Sequence, residues 1–309
     1  MKIVFMGTPE FAVPSLDILV KNGYDVVAVV TAPDSMGGRG GKQLLESPVK
    51  KYAIEHNIPV LQPIKLRDPL FIQKLSSLDA DIQIVVAFRM LPEIVWNMPR
   101  LGTYNLHGSL LPKYRGAAPI HHAIIQGEKE TGVTFFKLKH EIDTGDVLMY
   151  QKMDINENDD TGTVHDRMMD LAAETVLEAI KKIESGNYNL IQQTNQDATS
   201  APKIFHHNCL IDFNQSCVKV YNFIRGHSPW PGAWTKWNDT EIKIVKSEYE
   251  LSNDKTQIGS IITDHKHYIK IKCIDGYISI TLLKPEGKKL LTVTEYLNGS
   301  KNIPSAITV

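Results

Sequence analysis

Cysteine is scarce in this 309-residue chain: Cys209, Cys217 and Cys273 are the whole supply, and no two stand in C-x-x-C spacing. An odd count without paired spacing excludes a zinc knuckle or a dithiol redox motif and reads as reduced core thiols of a cytoplasmic protein. An excess of one charge is lacking as well. The chain has 34 basic and 35 acidic residues, a formal net charge of -1, so it cannot coat nucleic acid or membrane wholesale; a polyanion must be met by a local patch. Long apolar runs are also missing. The opening MKIVFMGTPEF carries one short run, Ile3–Met6, broken by Gly-Thr-Pro, too brief for a signal core or a membrane span, and no membrane association is expected. Finally, Gly7-Thr8-Pro9-Glu10 lacks the second and third glycines of a dinucleotide fingerprint. A nicotinamide cofactor is therefore unsupported, and Gly7 is read as the turn from a strand into a helix.

What the chain does have is core-forming sequence, 42% hydrophobic, and length for about two domains at roughly 100–200 residues each. Short apolar runs, Ile3–Met6, Val26–Val30 and Ile82–Ala87, alternate with helical patterns such as the one from about Pro14 to Asn22, stopped by Gly23. Strands apolar on both faces belong in a mostly parallel sheet covered by helices, so an α/β, Rossmann-like first domain is expected. Its last helix is predicted from about Thr163 to Ser185, with Thr163 and Asp166 as a capping box; Val164, Met168, Leu171, Ile180 and Ile183 share a face. The polar stretch that follows suggests domains of 1–186 and 203–309 joined by a linker over 187–202.

Charge divides the same way. Residues 203–309 hold 14 basic and 10 acidic side chains, a net +4, against -5 upstream. In this part EIKIVKSEYEL, IGSIIT, HYIKIKC and YISITLL recur about every ten residues with period-2 alternation, which predicts a small C-terminal antiparallel β-barrel, OB-like in scale. Such a barrel either binds oligonucleotides or braces its neighbour. Trp230, Trp234 and Trp237 could stack on bases there, but the proline-rich SPWPGAW favours packing.

The chemistry concentrates in Leu101–Ile120, LGTYNLHGSLLPKYRGAAPI. If Tyr104–His107 is extended, Asn105 and His107 project from one side, placing an amide donor and an imidazole on a single wall. Gly108-Ser109-Leu110-Leu111-Pro112 then forms a compact apolar loop suited to a flat ligand. A third group, Asp143, sits in the turn His140–Asp146 between the alternating segments Val133–Leu138 and Val147–Met153. Taken singly, N-x-H is a weak motif and Asp143 reads as an Asx-turn residue. Together the three supply what acyl transfer to an amine requires: a donor for the oxyanion and a route for the proton, with no nucleophilic Ser or Cys. His121-His122 and His206-His207 are adjacent pairs, a poor spacing for one metal, and no metal is expected.

The runs NLHGSLLPKYRGAAPI, HEIDTGDVL, MGTPEFAVPSL and the SPVK at Ser47–Lys50 resemble the 10-formyltetrahydrofolate-dependent formyltransferases, most closely the branch that formylates initiator methionyl-tRNA. The likeness covers nearly the whole chain, with KVYNFIRGHSPWPGAW resembling the start of the family's C-terminal barrel. It implies that Asn105, His107 and Asp143 are catalytic, that Ser109, Leu110, Leu111 and Pro112 form the tetrahydrofolate-binding loop, and that Arg39 reaches the tRNA acceptor stem. It also implies an enzyme of translation initiation, the alternatives being a folate-dependent formyltransferase for a small amine such as an amino sugar nucleotide or a catalytically silent RNA-binding protein; a monomer is expected. The glycine-rich stretch agrees in part: residues 31–51 carry four basic and two acidic side chains. Two departures stand out. The loop reads Gly41-Lys42-Gln43 where relatives often carry a lysine pair, so Lys42 is expected to add less RNA affinity. Arg89, in AFRMLP, occupies the place of a Tyr-Gly-containing turn and predicts a different rim for the folate pocket.

Overall fold

In the computed structural model, residues 1–37, 41, 43–238, 240–299 and 303–307 are described. They form two compact units: the first combines Met1–Gly116, Thr131–Met153 and His165–Ser200, the second Ala117–Glu130, Asp154–Val164 and Ala201–Val309.

The first unit opens with β1 (Lys2–Gly7), α1 (Val13–Lys21) and β2 (Asp25–Val30). A small antiparallel pair follows, β3 (Ser35–Gly37) with β4 (Gln43–Leu45), then α2 (Pro48–Glu55). Lys50, on the first turn of α2, ties the approaches to this pair together, ion-paired to Asp34 before it and to Glu46 after it. Next come β5 (Val60–Leu61), α3 (Pro69–Ser77), β6 (Ile82–Val86), α4 (Glu93–Trp96) and β7 (Thr103–His107). After α5 (Pro119–Ile125) run β8 (Glu130–Lys137), β9 (Val147–Asp154) and α6 (Thr161–Ser185).

The seven-stranded sheet has the order β5-β2-β1-β6-β7-β8-β9. Its first five strands are parallel, and β8 runs antiparallel to β7. The Val/Ile runs read as doubly covered strands are buried as that reading requires: β6 is buried at every position, and Val4, Met6, Val30, Val85, Phe71 and Leu75 share one core cluster. Strand order reverses between β1 and β6, a topological switch point of the kind at which open α/β sheets bind ligands outside the carboxyl ends of their strands. Gly7 ends β1 because only hydrogen fits: a Cβ there would lie 2.7 Å from that of Ala12. This is the strand-to-helix turn expected from the sequence.

α6 starts two residues earlier than expected, and its reciprocal cap is Asp160 with Thr163 rather than Thr163 with Asp166. The Thr163 N–H donates to Asp160 Oδ1 at 2.8 Å and the Asp160 N–H to Thr163 Oγ1 at 2.9 Å. The expected apolar stripe is inward, with Val164, Met168, Ile180 and Ile183 buried and Leu171 half-buried.

In the second unit, α7 (Cys217–Gly226) precedes β10 (Ala233–Trp237), β11 (Thr240–Leu251), β12 (Ile261–Thr263), β13 (Ile269–Lys272), β14 (Gly276–Pro285), β15 (Leu291–Thr292) and α8 (Val293–Gly299). The strands form the expected antiparallel sheet, in the order β10-β11-β14-β13-β12 with β15 on β14. Ile211, Phe213, Ile244, Ile271, Ile278 and Leu283 build its core, and Cys217 and Cys273 are buried there as free thiols. Burial pushes the Cys273 thiol up to about 12, so it stays protonated and inert. Trp237 and Trp234 pack inward, the latter donating to the His206 carbonyl at 2.9 Å, whereas Trp230 is 73% exposed.

Candidate active site

β7 carries Asn105 and His107 at alternate positions. Its pairing sets Val85 beside Asn105 and Val86 beside Leu106, which brings His107 to the carboxyl edge of the sheet. Extended geometry points both side chains to one face, about 7 Å apart along the strand. Asn105 is half-buried, and its amide makes no side-chain hydrogen bond to a described residue, leaving the donor free for a ligand. His107 is almost fully buried. Its Nε2 lies 2.8 Å from the Tyr114 carbonyl oxygen, and since a carbonyl only accepts, Nε2 carries a proton. The other nitrogen, Nδ1, faces the Asp143 carboxylate with Oδ2 at 3.7 Å.

Asp143 arrives from the turn between β8 and β9. It adopts a φ of +54°, the left-handed region, and its Oδ2 accepts the Gly116 N–H at 2.9 Å. The two residues after it explain the D-T-G order. Thr144 Oγ1 donates to the Glu141 carbonyl at 3.1 Å, and a Cβ on Gly145 would come within 1.7 Å of the Lys137 carbonyl oxygen. The turn closes only if residue 145 has no side chain.

The Ser109–Pro112 loop is fixed from within. Ser109 Oγ donates to the Lys113 carbonyl at 2.6 Å, Thr134 Oγ1 donates to the Ser109 carbonyl at 2.6 Å, and the Leu111 N–H donates to Thr134 Oγ1 at 3.0 Å. Leu111 packs with Phe136 and Val147, so Leu110 and Pro112 are the members left half-exposed. Ser109 thus shapes the loop through its hydroxyl rather than presenting that group outward.

A cleft of about 470 Å³ adjoins the Asp143 turn, lined by Lys139, His140, Glu141 and Thr144 with Trp96, Arg115, Gln193 and Asn195; Asn105, His107 and the Ser109–Pro112 loop are not among its lining residues. Arg89 donates to the carbonyls of Pro63 and Ile64, so its guanidinium is spent on the loop after β5. Among the described residues no three His, Cys, Asp or Glu side chains converge as a metal site would require, and no helix is long and apolar enough to cross a membrane. Arg39 and Lys42 lie outside the described residues.

Sequence reasoning missed the residues holding Asp143. Gln193, in the stretch read as a linker, donates through Nε2 to the carbonyls of Asp143 at 2.9 Å and Gly145 at 2.7 Å. Arg115 in turn donates to Gln193 Oε1. The only signal for either was RG inside the N-x-H run; nothing marked Gln193.

Residues 1–180 match the formyl transferase family and residues 203–301 the formyl transferase C-terminal domain. A methionyl-tRNA formyltransferase of Parabacteroides distasonis is 49% identical over 98% of this chain and 97% of its own length. The chain belongs to the methionyl-tRNA formyltransferase family. One from Flavobacterium johnsoniae is 46% identical, covering 97% of this chain and 96% of the relative. Solved structures share the fold at low identity. An N-formyltransferase from Helicobacter canadensis, in complex with folinic acid and dTDP-3-aminofucose, superposes with a TM-score of 0.70 at 24% identity, over 91% of this chain and 98% of that one. A methionyl-tRNA formyltransferase from Clostridium thermocellum gives 0.56 at 17%, over 89% and 100%.

Proposed function

We propose that the protein transfers the formyl group of 10-formyltetrahydrofolate to the α-amine of methionine on initiator tRNA, as a cytoplasmic monomer. Catalysis is assigned to residues 1–186 and tRNA binding to 203–309, with 187–202 between them and Arg39 and Lys42 reaching the acceptor stem. The observation that carries the reading is the grouping of a free Asn105 amide with His107 and Asp143 at the carboxyl edge of β7, in a chain of this family.

Bound against Asn105 and the Ser109–Pro112 loop, the folate supplies the formyl carbon and N10 as leaving atom, while the methionyl nitrogen forms the new bond to that carbon. Asn105 donates to the formyl oxygen as negative charge develops there. With Nε2–H committed to the Tyr114 carbonyl, Nδ1 is the nitrogen of His107 that can gain and lose a proton, and the Asp143 carboxylate stabilises it when charged. One proton leaves the attacking nitrogen and one reaches N10, so the exchange balances without metal or covalent enzyme intermediate. Leu110 and Pro112 present apolar surface to the donor while their loop is held by Ser109 and Thr134.

Incubating the protein with 10-formyltetrahydrofolate and charged initiator tRNA, elongator methionyl-tRNA or free small amines, and following formyl incorporation, tests this. Formylation confined to initiator methionyl-tRNA is expected. Transfer only to small amines would overturn the acceptor assignment, and absence of all transfer would overturn the enzyme.

A further inference from the structure

We propose that Gln193 is a positioning residue for formyl transfer, holding the Asp143 turn so that the carboxylate stays against His107. The inference rests on the reading of Asp143 and His107 as a working pair and deepens it. Asp143 sits at a φ of +54°, the left-handed region, which aspartate tolerates better than most side-chain-bearing residues but does not favour over extended backbone. Among the described residues, no backbone N–H donates to the Asp143 or the Gly145 carbonyl. One amide satisfies both: the two N–H groups of Gln193 Nε2 meet Asp143 O at 2.9 Å and Gly145 O at 2.7 Å.

The orientation of that amide is fixed by charge. Gln193 Oε1 accepts from Arg115 Nε at 3.2 Å and Nη2 at 2.8 Å, and a flipped amide would set donors against a guanidinium and an oxygen against two carbonyls. Arg115 is itself anchored, Nη1 to Asn195 Oδ1 at 2.9 Å and its backbone N–H to the Thr199 carbonyl at 2.9 Å. The next residue, Gly116, is the donor to Asp143 Oδ2. A circuit therefore runs from the carboxylate through Gly116, Arg115 and Gln193 back to the main chain of Asp143, fixing both ends of one residue. Upstream, Ile191 and Val147 exchange two backbone hydrogen bonds of 2.8 Å, so the segment bearing Gln193 is pinned to β9. Gln193 acts through Asp143 and the turn that carries it, which separates positioning from direct catalysis.

The test uses full-length protein, 10-formyltetrahydrofolate and charged initiator tRNA. Gln193→Met keeps the volume at a half-buried site and removes the amide. We expect kcat to fall about 10–100-fold, with KM for donor and tRNA within about twofold and the unfolding midpoint near that of the parent. Gln193→Glu still accepts from Arg115 but sets an oxygen against two carbonyls, so it should be at least as slow; a simple packing role would leave it near parental. Added to Asp143→Asn, which is expected to be slow already, Gln193→Met should cost no more than about twofold further. Parental kcat in Gln193→Met, or a loss that multiplies in full onto a slow Asp143→Asn, would overturn the positioning role alone. Parental kcat in Asp143→Asn would overturn the catalytic reading of Asp143, and the proposal with it.

Discussion

At the scale of single residues, the site is a division of labour set by hydrogen-bonding partners. The Asn105 amide has no partner among the described residues, His107 has one nitrogen committed and one facing Asp143, and Asp143 accepts one backbone N–H while its carboxylate faces the imidazole. Alanine at any of the three is expected to lower kcat by about 10²–10⁴, and pairs of changes should cost far less than the product of the singles, since each group is useful only while the others are present. Single-turnover formylation with saturating donor measures this, and a His107→Ala enzyme at parental rate would remove the imidazole from the chemistry. The shared face of Asn105 and His107 was legible because β-strand alternation puts i and i+2 on one side, whereas their grouping with Asp143 was suggested by the motif's resemblance to a known family. Gln193 was not legible. Its worth comes from two carbonyls about fifty residues away in sequence, and a polar side chain in a polar stretch carries no periodicity to betray such a contact.

At the scale of elements, the parallel strands were readable because burial on both faces demands an unbroken apolar run, as in Ile82–Val86. β5, with two residues, and β10, which begins at the last two residues of the proline-rich SPWPGAW, give too little pattern to find. The Thr163 cap was misplaced by one turn because threonine serves equally as N-cap and as the third helical residue; Asp160 settles which. The β8–β9 turn carries Asp143, and Gly145 is its steric limit. Gly145→Ala would drive a methyl into the Lys137 carbonyl, so a loss of about 3 kcal/mol in unfolding free energy and a larger fractional loss of kcat than of donor affinity are expected. Denaturant unfolding with steady-state kinetics checks both, and a parental kcat would show that the turn can shift without moving Asp143.

At the scale of the whole molecule, the two compact units do not follow the chain as simply as its two family matches do. Residues 117–130 and 154–164 belong with 201–309, so the second unit is assembled from three segments. Buried His227 lies inside it, with Nδ1 donating to the Phe223 carbonyl at 2.7 Å; burial, with a smaller effect from His122, holds its imidazole below the ordinary value. The folded state thus keeps His227 neutral, while the unfolded state takes up a proton as pH falls through about 6.5. This contribution is complete above that pH and is lost as acid is added, so the unfolding midpoint should drop between pH 7.5 and 5, less steeply in His227→Gln. Assembly from three segments also governs where the chain can be cut. Arg225 Nη1 donates to the Asp159 carbonyl at 2.8 Å and Thr161 Oγ1 to the Gly226 carbonyl at 2.7 Å. Gly226 approaches Ile125 so closely that a Cβ would lie 2.5 Å from its Cγ1. A fragment ending at residue 202 keeps α5 and the 154–164 segment but loses α7, forfeiting hydrogen bonds of about 1 kcal/mol each and baring apolar surface. Such a fragment is expected to unfold at lower temperature than the full chain and to bind a hydrophobic dye, so its weakened tRNA binding would report lost structure as well as lost contacts. If it unfolds at the parental midpoint without dye binding, residues 203–309 act as a separable module, and the difference in tRNA affinity measures their contacts alone.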